Sequence, residues 1–280
     1  MSFIIDEKGG GLKRSAFGYY LKSLFTLVAG IRNPGILFRL MTNRSNRFAG
    51  RVNLRNGQSF LVFSLLDVWV LKETILDRQY EQVSVPLLGH WTVIDIGAAL
   101  GDYSVWAASQ LMRGRLIAVE PYPPAVSMMR TNLEKNKVLN VEIFPGAVTG
   151  SNGNAYLKIS EGKLVKNSTA NLDKGAREVM VQTVTMEELL NRFSISKCDY
   201  LKMDCEGGEY DIFFSTSKET LARIDRVCLE VHDTLVLHTH RELIDFFVQN
   251  GYTTRLTDNP VHSDLAFLYA ERTNITEAES

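Results

Sequence analysis

Asp95 sits in the apolar run Val93-Ile94-Asp95-Ile96, and two glycines follow it, Gly97 and Gly101. A glycine directly after a strand permits a sharp turn, and a second one lets backbone approach a ligand. The first amides of a following helix offer free N–H donors to a carboxylate. Asp95 at such a turn would accept from an ammonium group or hold the loop's own amides. Glu120 ends the next apolar run, Leu116-Ile117-Ala118-Val119, and is placed to accept both hydroxyls of a ribose. Together these residues suit a small ligand with an adenosine at one end and a charged tail at the other.

The spacing separates two ligand classes. The dinucleotide fingerprint is Gly-x-Gly-x-x-Gly. Here the glycines read Gly97-x-x-x-Gly101, with Asp95 two residues before the first. A pyrophosphate beside Asp95 would set two anions face to face, whereas an amino acid's α-ammonium would be attracted. The crevice therefore favours S-adenosylmethionine over a nicotinamide dinucleotide.

Tyr200-Leu-Lys-Met-Asp-Cys-Glu-Gly-Gly-Glu209 forms a second group. A strand there delivers Asp204 and Glu206 to one edge, and Gly207-Gly208 permits close backbone approach. Two carboxylates this close repel, so one holds a proton or meets a cation. Lys202, inside an apolar strand, also needs a partner. The same residues would serve equally as an internally satisfied cluster that shapes the loop. The third group is Leu229-Glu-Val-His-Asp233. His232 is a candidate general base because its ordinary pKa suits proton removal at neutral pH. Glu230 alternates to the same face of the strand and would orient the ring. A hydrogen-bonded strand-end histidine is the plainer reading. Nothing in the spacing of Asp204, Glu206, Glu230 and His232 requires a divalent ion, and no metal is expected.

The elements that must position these residues alternate. Strand-like runs at 92–96, 116–119, 141–144, 200–203 and 227–231 are separated by helical runs at 103–112, 125–135, 186–192, 209–215 and 241–250. Short apolar strands between helices indicate a parallel sheet covered on both faces. The runs 252–256 and 265–270 leave no room for a crossover helix, so they should pair antiparallel. The expected fold is therefore α/β and Rossmann-like, with a seven-stranded, mostly parallel sheet ending in an antiparallel C-terminal pair. Segments 154–159 and 178–184 read as β pieces of an excursion around a polar stretch. Before the sheet, residues 17–28 show helical spacing, Asn33-Pro34 opens a second helix, and Asn56-Gly57 suits a two-residue hairpin turn. Residues 67–82 read as a helical connector. Residues 1–90 are thus expected to form a basic helical and hairpin cap, 91–272 the nucleoside-binding domain, and 273–280 a tail.

Charge is distributed unevenly. From Lys8 to Leu66 there are ten basic and no acidic residues, while residues 67–280 hold 21 basic and 30 acidic ones. A basic front of this kind docks on the acidic body, grips an anionic substrate or meets a membrane surface through residues 8–55. The apolar stretch 15–31 contains Lys22 and is shorter than about 20 residues, too short to span a bilayer. The first twelve residues do not read as a signal peptide, and three cysteines without metal-type pairing fit a reducing compartment. A cytoplasmic protein, with peripheral membrane contact as the alternative, is the expectation. The basic front carries no recognised RNA-binding motif, so nucleic acid is not an expected partner, and the oligomeric state is not encoded legibly.

These residues resemble those of the FkbM-type S-adenosylmethionine-dependent methyltransferases. The likeness lies in 93–104, Glu120-Pro121, Gly146-Ala147-Val148, Leu201-Lys-Met-Asp-Cys-Glu-Gly-Gly-Glu-Tyr210 and Glu230-Val-His232, and in an entry segment from Arg55 through Glu73 and Tyr80. It covers roughly residues 50–272. Gly208 stands where the family more often has alanine, and residues 1–48 have no counterpart. The resemblance implies O-methylation of a hydroxyl on a sugar, glycan or secondary metabolite. It implies that Asp95, Gly97 and Gly101 meet the methionine part, Glu120 the ribose and Ala147 the adenine. Asp204 and Glu206 would flank the transfer centre, with Asp204 or His232 taking the hydroxyl proton. An RNA methylase and a non-catalytic scaffold of the same fold are the alternatives.

Overall fold

The computed structural model describes residues 14–42, 49–159, 167–168, 177–205, 207–232, 238–259 and 265–275. The cap begins with helices α1 (Arg14–Gly30) and α2 (Gly35–Thr42), then the hairpin strands β1 (Gly50–Asn53) and β2 (Ser59–Val62). Asn33 does not cap α2 with its side chain. Its Oδ1 accepts from Asn53 N–H at 2.9 Å and its Nδ2 donates to the Arg51 carbonyl at 2.7 Å, tying α2 to the hairpin. The hairpin loop is one residue longer than the Asn-Gly dipeptide suggests. Leu54 N–H donates to the Gln58 carbonyl at 2.8 Å, leaving Arg55, Asn56 and Gly57 in the turn, with Gly57 at φ 96°. Three-residue loops of this kind need a left-handed last position, which glycine supplies.

The expected connector over 67–82 is three pieces rather than one helix. Helix α3 (Leu65–Leu71) starts at a Ser64–Asp67 capping box, continues as a π-helical turn at Lys72–Leu76, and breaks at Arg78, whose φ is 53°. Helix α4 (Gln79–Val83) follows. A π-turn costs hydrogen-bond geometry and is found mostly where function redirects side chains.

The sheet then builds from β3 (Thr92–Ile96), α5 (Asp102–Ala108), β4 (Arg115–Val119), α6 (Pro123–Lys135) and β5 (Val141–Phe144). A smaller sheet interrupts it: β6 (Ala147–Val148), β7 (Gly153–Ile159), β8 (Asn167–Ser168) and β9 (Arg177–Val184), in the order β6-β9-β7-β8. The main sheet resumes with α7 (Met186–Arg192), β10 (Tyr200–Met203), α8 (Glu209–Ser215), α9 (Lys218–Leu221), β11 (Arg226–His232), α10 (His240–Gln249), β12 (Tyr252–Asp258) and β13 (Leu265–Arg272). Its order is β12-β13-β11-β10-β3-β4-β5. Strand β13 alone runs against its neighbours β11 and β12. The main sheet thus has the seven strands and the antiparallel ending expected from the sequence.

Strand alternation sorts the core into two clusters. Val93, Leu116, Ala118 and Tyr200 face the cap, α5 and α6, while Ile94, Ile96, Ile117 and Val119 face the layer that carries α7, α8 and α10. The cap side draws Leu27, Ile31, Phe60, Leu71 and Tyr80 into the same buried cluster as Tyr103 and Leu116. The cap thus shares a core with the sheet. Two asparagines of α6 fasten it. Asn132 accepts from Leu61 N–H at 2.7 Å and donates to the Leu100 carbonyl at 2.8 Å, and Asn136 exchanges a hydrogen-bond pair with the Ser59 backbone at 2.9 and 2.8 Å. These amides complete the edge of β2 as a neighbouring strand would.

Candidate functional site

Strand order reverses at β3. Its chain neighbour β4 lies on one side and β10, from far along the sequence, on the other. Ligands in open α/β sheets bind at the carboxyl ends of the strands beside such a reversal. The cavity found there has a volume of about 370 Å³. That is the size range of pockets for small organic ligands.

Gly97 occupies the reversal point with φ 77°, and a Cβ at that position would lie 1.8 Å from the Asp204 carbonyl oxygen. The turn after β3 and the end of β10 therefore touch only because residue 97 has no side chain. Asp204 N–H continues the ladder by donating to the Ile96 carbonyl at 3.0 Å. Gly97, Glu120, Ala147 and Asp204 all line the cavity, so the structure brings together four of the residues that the sequence singles out.

Glu120 caps β4 and is buried. Its Oε2 accepts from Ala99 N–H at 2.9 Å and its Oε1 from Tyr122 N–H at 2.8 Å. Burial nonetheless pushes its pKa up from 4.5 to about 7, against those two hydrogen bonds. Asp102, in the first turn of α5, also lines the cavity, and burial raises its pKa to about 6. Ala147, Val148, Val119 and Leu157 supply an apolar wall next to these carboxylates. A carboxylate at a strand tip beside an apolar wall fits a nucleoside, and an acidic lining fits a cationic tail.

Asp95 and Gly101 stand behind the cavity rather than on it. Asp95 is fully buried. Its Oδ2 accepts from Ser104 Oγ at 2.6 Å, and its Oδ1 lies 3.1 Å from Lys202 Nζ. That second contact is an ion pair without aligned hydrogen-bond geometry. The carboxylate of Asp95 is thus engaged by its neighbours on β10 and α5, the Lys202 ammonium and the Ser104 hydroxyl. Gly101, at φ 82°, gives up its side chain to Met129, whose Cγ would lie 2.7 Å from a Cβ there. Lys202 lines the cavity and donates to the Gly97 carbonyl at 3.1 Å. Burial works against its charge, but Asp95, Asp204 and Asp102 outweigh it and raise the pKa above the ordinary lysine value.

The loop after β10 is shaped by Glu209, a buried carboxylate in the first turn of α8. It accepts from Cys205 N–H at 2.8 Å and Gly207 N–H at 3.0 Å. Glu206 lies outside the described residues. His232 is the last residue of β11, paired in register with Leu265, and its side chain lies outside the described residues too. Glu230, two residues earlier on β11, lines the cavity. Among the described residues no group of three or more His, Cys, Asp or Glu is arranged to hold a metal ion. The structure adds wall residues from the cap: Val70, Glu73, Thr74 and Tyr80. The sequence signal for them was faint, since the π-turn that aims Glu73 and Thr74 inward has no residue signature.

The Methyltransferase FkbM domain matches residues 95–254, more than half of the chain. The match takes in the Gly97 turn, Glu120, Ala147, Asp204 and β11. Methyltransferase 1 of Beauveria bassiana is 23% identical over 185 residues, which is 59% of this chain and 74% of that protein. The AMB antimetabolite synthetase AmbE of Pseudomonas aeruginosa is 23% identical over 201 residues, 59% of this chain but only 9% of the synthetase. Among solved structures, the methyltransferase FkbM from Methylobacillus flagellatus aligns with a TM-score of 0.46 at 10% identity, over 72% of this chain and 53% of that one. TYW2 of M. jannaschii, solved with AdoMet, aligns at 0.45 and 15% identity, over 80% and 86%. These structural likenesses are weak, and the domain match carries the identification. The chain belongs to the FkbM methyltransferase domain family.

Proposed function

We propose that this methyltransferase acts on oxygen, methylating a hydroxyl of a sugar, a glycan or a secondary metabolite. The observation that carries the reading is the placement of Asp204. Asp204 lines the cavity at the end of β10, where the chain reads Asp204-Cys-Glu-Gly. Enzymes that methylate amines or nucleobases often carry Asn/Asp-Pro-Pro-aromatic at that place. A carboxylate without that motif suits a hydroxyl, which must lose a proton as it attacks.

S-adenosyl-L-methionine supplies the methyl group, carried on its sulfonium. Glu120 would hold the ribose hydroxyls, and Val119, Ala147, Val148 and Leu157 would cover the adenine. The acidic lining contributed by Asp102, Asp204 and Glu230 would favour the sulfonium and ammonium charges. Asp204 would accept the hydroxyl proton, with His232 the second candidate. Rate enhancement then comes chiefly from aligning acceptor and donor where water is excluded.

The test is transfer from methyl-labelled cofactor to an extract of small hydroxylated molecules and glycans, read by mass spectrometry. Label on oxygen, lost in Asp204→Ala while calorimetry still detects cofactor binding, weakened by the loss of one acidic lining residue, is the expected result. Label confined to nitrogen or carbon would overturn it.

A further inference from the structure

Among the described residues, nothing covers one apolar face of helix α1. The helix turns Ser23 and Leu27 inward. Tyr20, Leu21, Leu24, Phe25 and Val28 stand outward, the most open being Phe25 at 76% and Leu21 at 61%. At about 100° per residue these five fill one continuous arc of about 140°. Phe38 and Met41, three apart on α2, are exposed at 71% and 60%. Seven of the fifteen large apolar side chains exposed among the described residues thus fall on these two short helices. Elsewhere such residues stand singly or, in Tyr156 and Met180, as one cross-strand pair; a cluster of five to seven marks an interaction surface.

The exposed charges on α1, α2 and the hairpin have one sign. Lys22, Arg32, Arg39, Arg51 and Arg55 are all exposed, and no acidic residue occurs anywhere from Lys8 to Leu66. Arg55 donates to the Ala29 carbonyl at 2.8 Å, and Arg32 to the Arg55 carbonyl at 3.3 Å, which fixes two guanidiniums beside the end of α1. Two copies meeting through this face would bring basic groups together with no carboxylate to pair them. An acidic polymer would satisfy the charges and leave Leu21 and Phe25 in water. An anionic bilayer satisfies both, because acyl chains accept the apolar arc and headgroup phosphates accept the rim. No described helix is long and apolar enough to cross a membrane, so the contact lies in the plane of the interface.

We propose that the α1–α2 layer is an in-plane docking surface for an anionic phospholipid bilayer. The surface is tied directly to the cavity. Tyr19 on α1 donates to Glu73, a cavity-lining residue, at 3.2 Å and accepts from Lys72 Nζ at 2.9 Å. Docking therefore sets the Glu73 wall of the site beside the lipid surface. This inference does not depend on which atom is methylated.

The test is flotation of the full chain with vesicles of phosphatidylcholine alone or of phosphatidylcholine mixed with phosphatidylglycerol. The expected result is about tenfold or greater enrichment on the anionic vesicles, weakening as salt is added. The Leu21→Ser/Phe25→Ser variant should lose about tenfold in vesicle binding while keeping its Tm and its cofactor affinity, since both positions are exposed. Equal binding to both vesicle types, or none to either, would overturn the proposal. So would light scattering that shows a stable dimer in the native chain and a monomer in the double variant.

Discussion

Asp95 and Lys202 face each other in register on adjacent parallel strands, with Nζ and Oδ1 3.1 Å apart and both side chains closed to solvent. They lie on the cap-side face of the sheet. The rings of Tyr80 and Tyr103 stand over the ammonium, their centroids at 5.3 and 5.8 Å. Lys202 also binds the Gly97 carbonyl, so the pair fixes the turn that the ligand crevice is built around.

Removing one member of that pair leaves a buried charge with no counterion. Lys202→Met should destabilise the protein by about 3–5 kcal/mol. Chemical denaturation measures this. The double variant Asp95→Asn/Lys202→Met should recover much of the loss, since neither member of the pair is then left charged without the other. Equal stability of Lys202→Met and the native chain would show that the ion pair does not hold the sheet.

The pH response follows from Glu120. Its pKa in the fold is raised from 4.5 to about 7, chiefly by burial. A group raised in this way favours the proton in the folded state. Its contribution to stability is complete below about pH 4.5 and is lost as pH rises through about 7. Ribose hydroxyls donate best to the ionised carboxylate, so cofactor affinity should change in the opposite sense and strengthen between pH 6 and 8. Calorimetric Kd across that range should show the trend, and Glu120→Gln should flatten it while weakening binding. An unchanged pH profile in Glu120→Gln would detach Glu120 from the cofactor.

Gly97→Ala should be among the most damaging single changes. The obstacle 1.8 Å away is a backbone carbonyl, which no rotamer change relieves, and the φ of 77° is strained for alanine. A loss of about 4 kcal/mol or more is expected, with cofactor binding abolished. Gly57→Ala is the control: φ is 96° there but nothing lies within 4 Å, so only the backbone cost of about 1–2 kcal/mol applies. Thermal unfolding of both variants separates steric from conformational cost.

Asn132→Ala should cost about 1–3 kcal/mol, because it strips the Leu61 N–H and the Leu100 carbonyl of partners in a buried setting. Limited proteolysis should then cut first in the β1–β2 hairpin. Cleavage elsewhere at the native rate would argue that the hairpin is held by its apolar contacts alone.

The main sheet was legible because its central strands are buried on both faces and read as apolar runs between helices. The antiparallel ending followed from the short spacing between its two runs, whereas Ala147 was implied only by the family resemblance. What could not be read depends on partners distant in the chain. Asp95 sits in a motif that looks directed at a ligand, and only its register with Lys202 turns it into the interior. Gly101 reads as a ligand approach, yet the space it leaves is filled by Met129. The hydrophobic spacing over 67–82 is continuous, so the π-turn and the left-handed Arg78 were invisible in it. The segments 154–159 and 178–184 were recognisable as β pieces. Their pairing into one small sheet was not, because polar chain separates them.

The asparagine amides of α6 have a consequence for traffic. Fastened through Ser59 and Leu61, the hairpin is tied to α6, and the cap segment that follows it supplies the Val70–Tyr80 side of the cavity. If that side holds still, spent nucleoside and finished product would leave past the opposite wall, where Thr149, Leu157 and Asp211 stand. Turnover paced by product escape would then respond to the bulk of residue 157 and ignore surface changes in the hairpin.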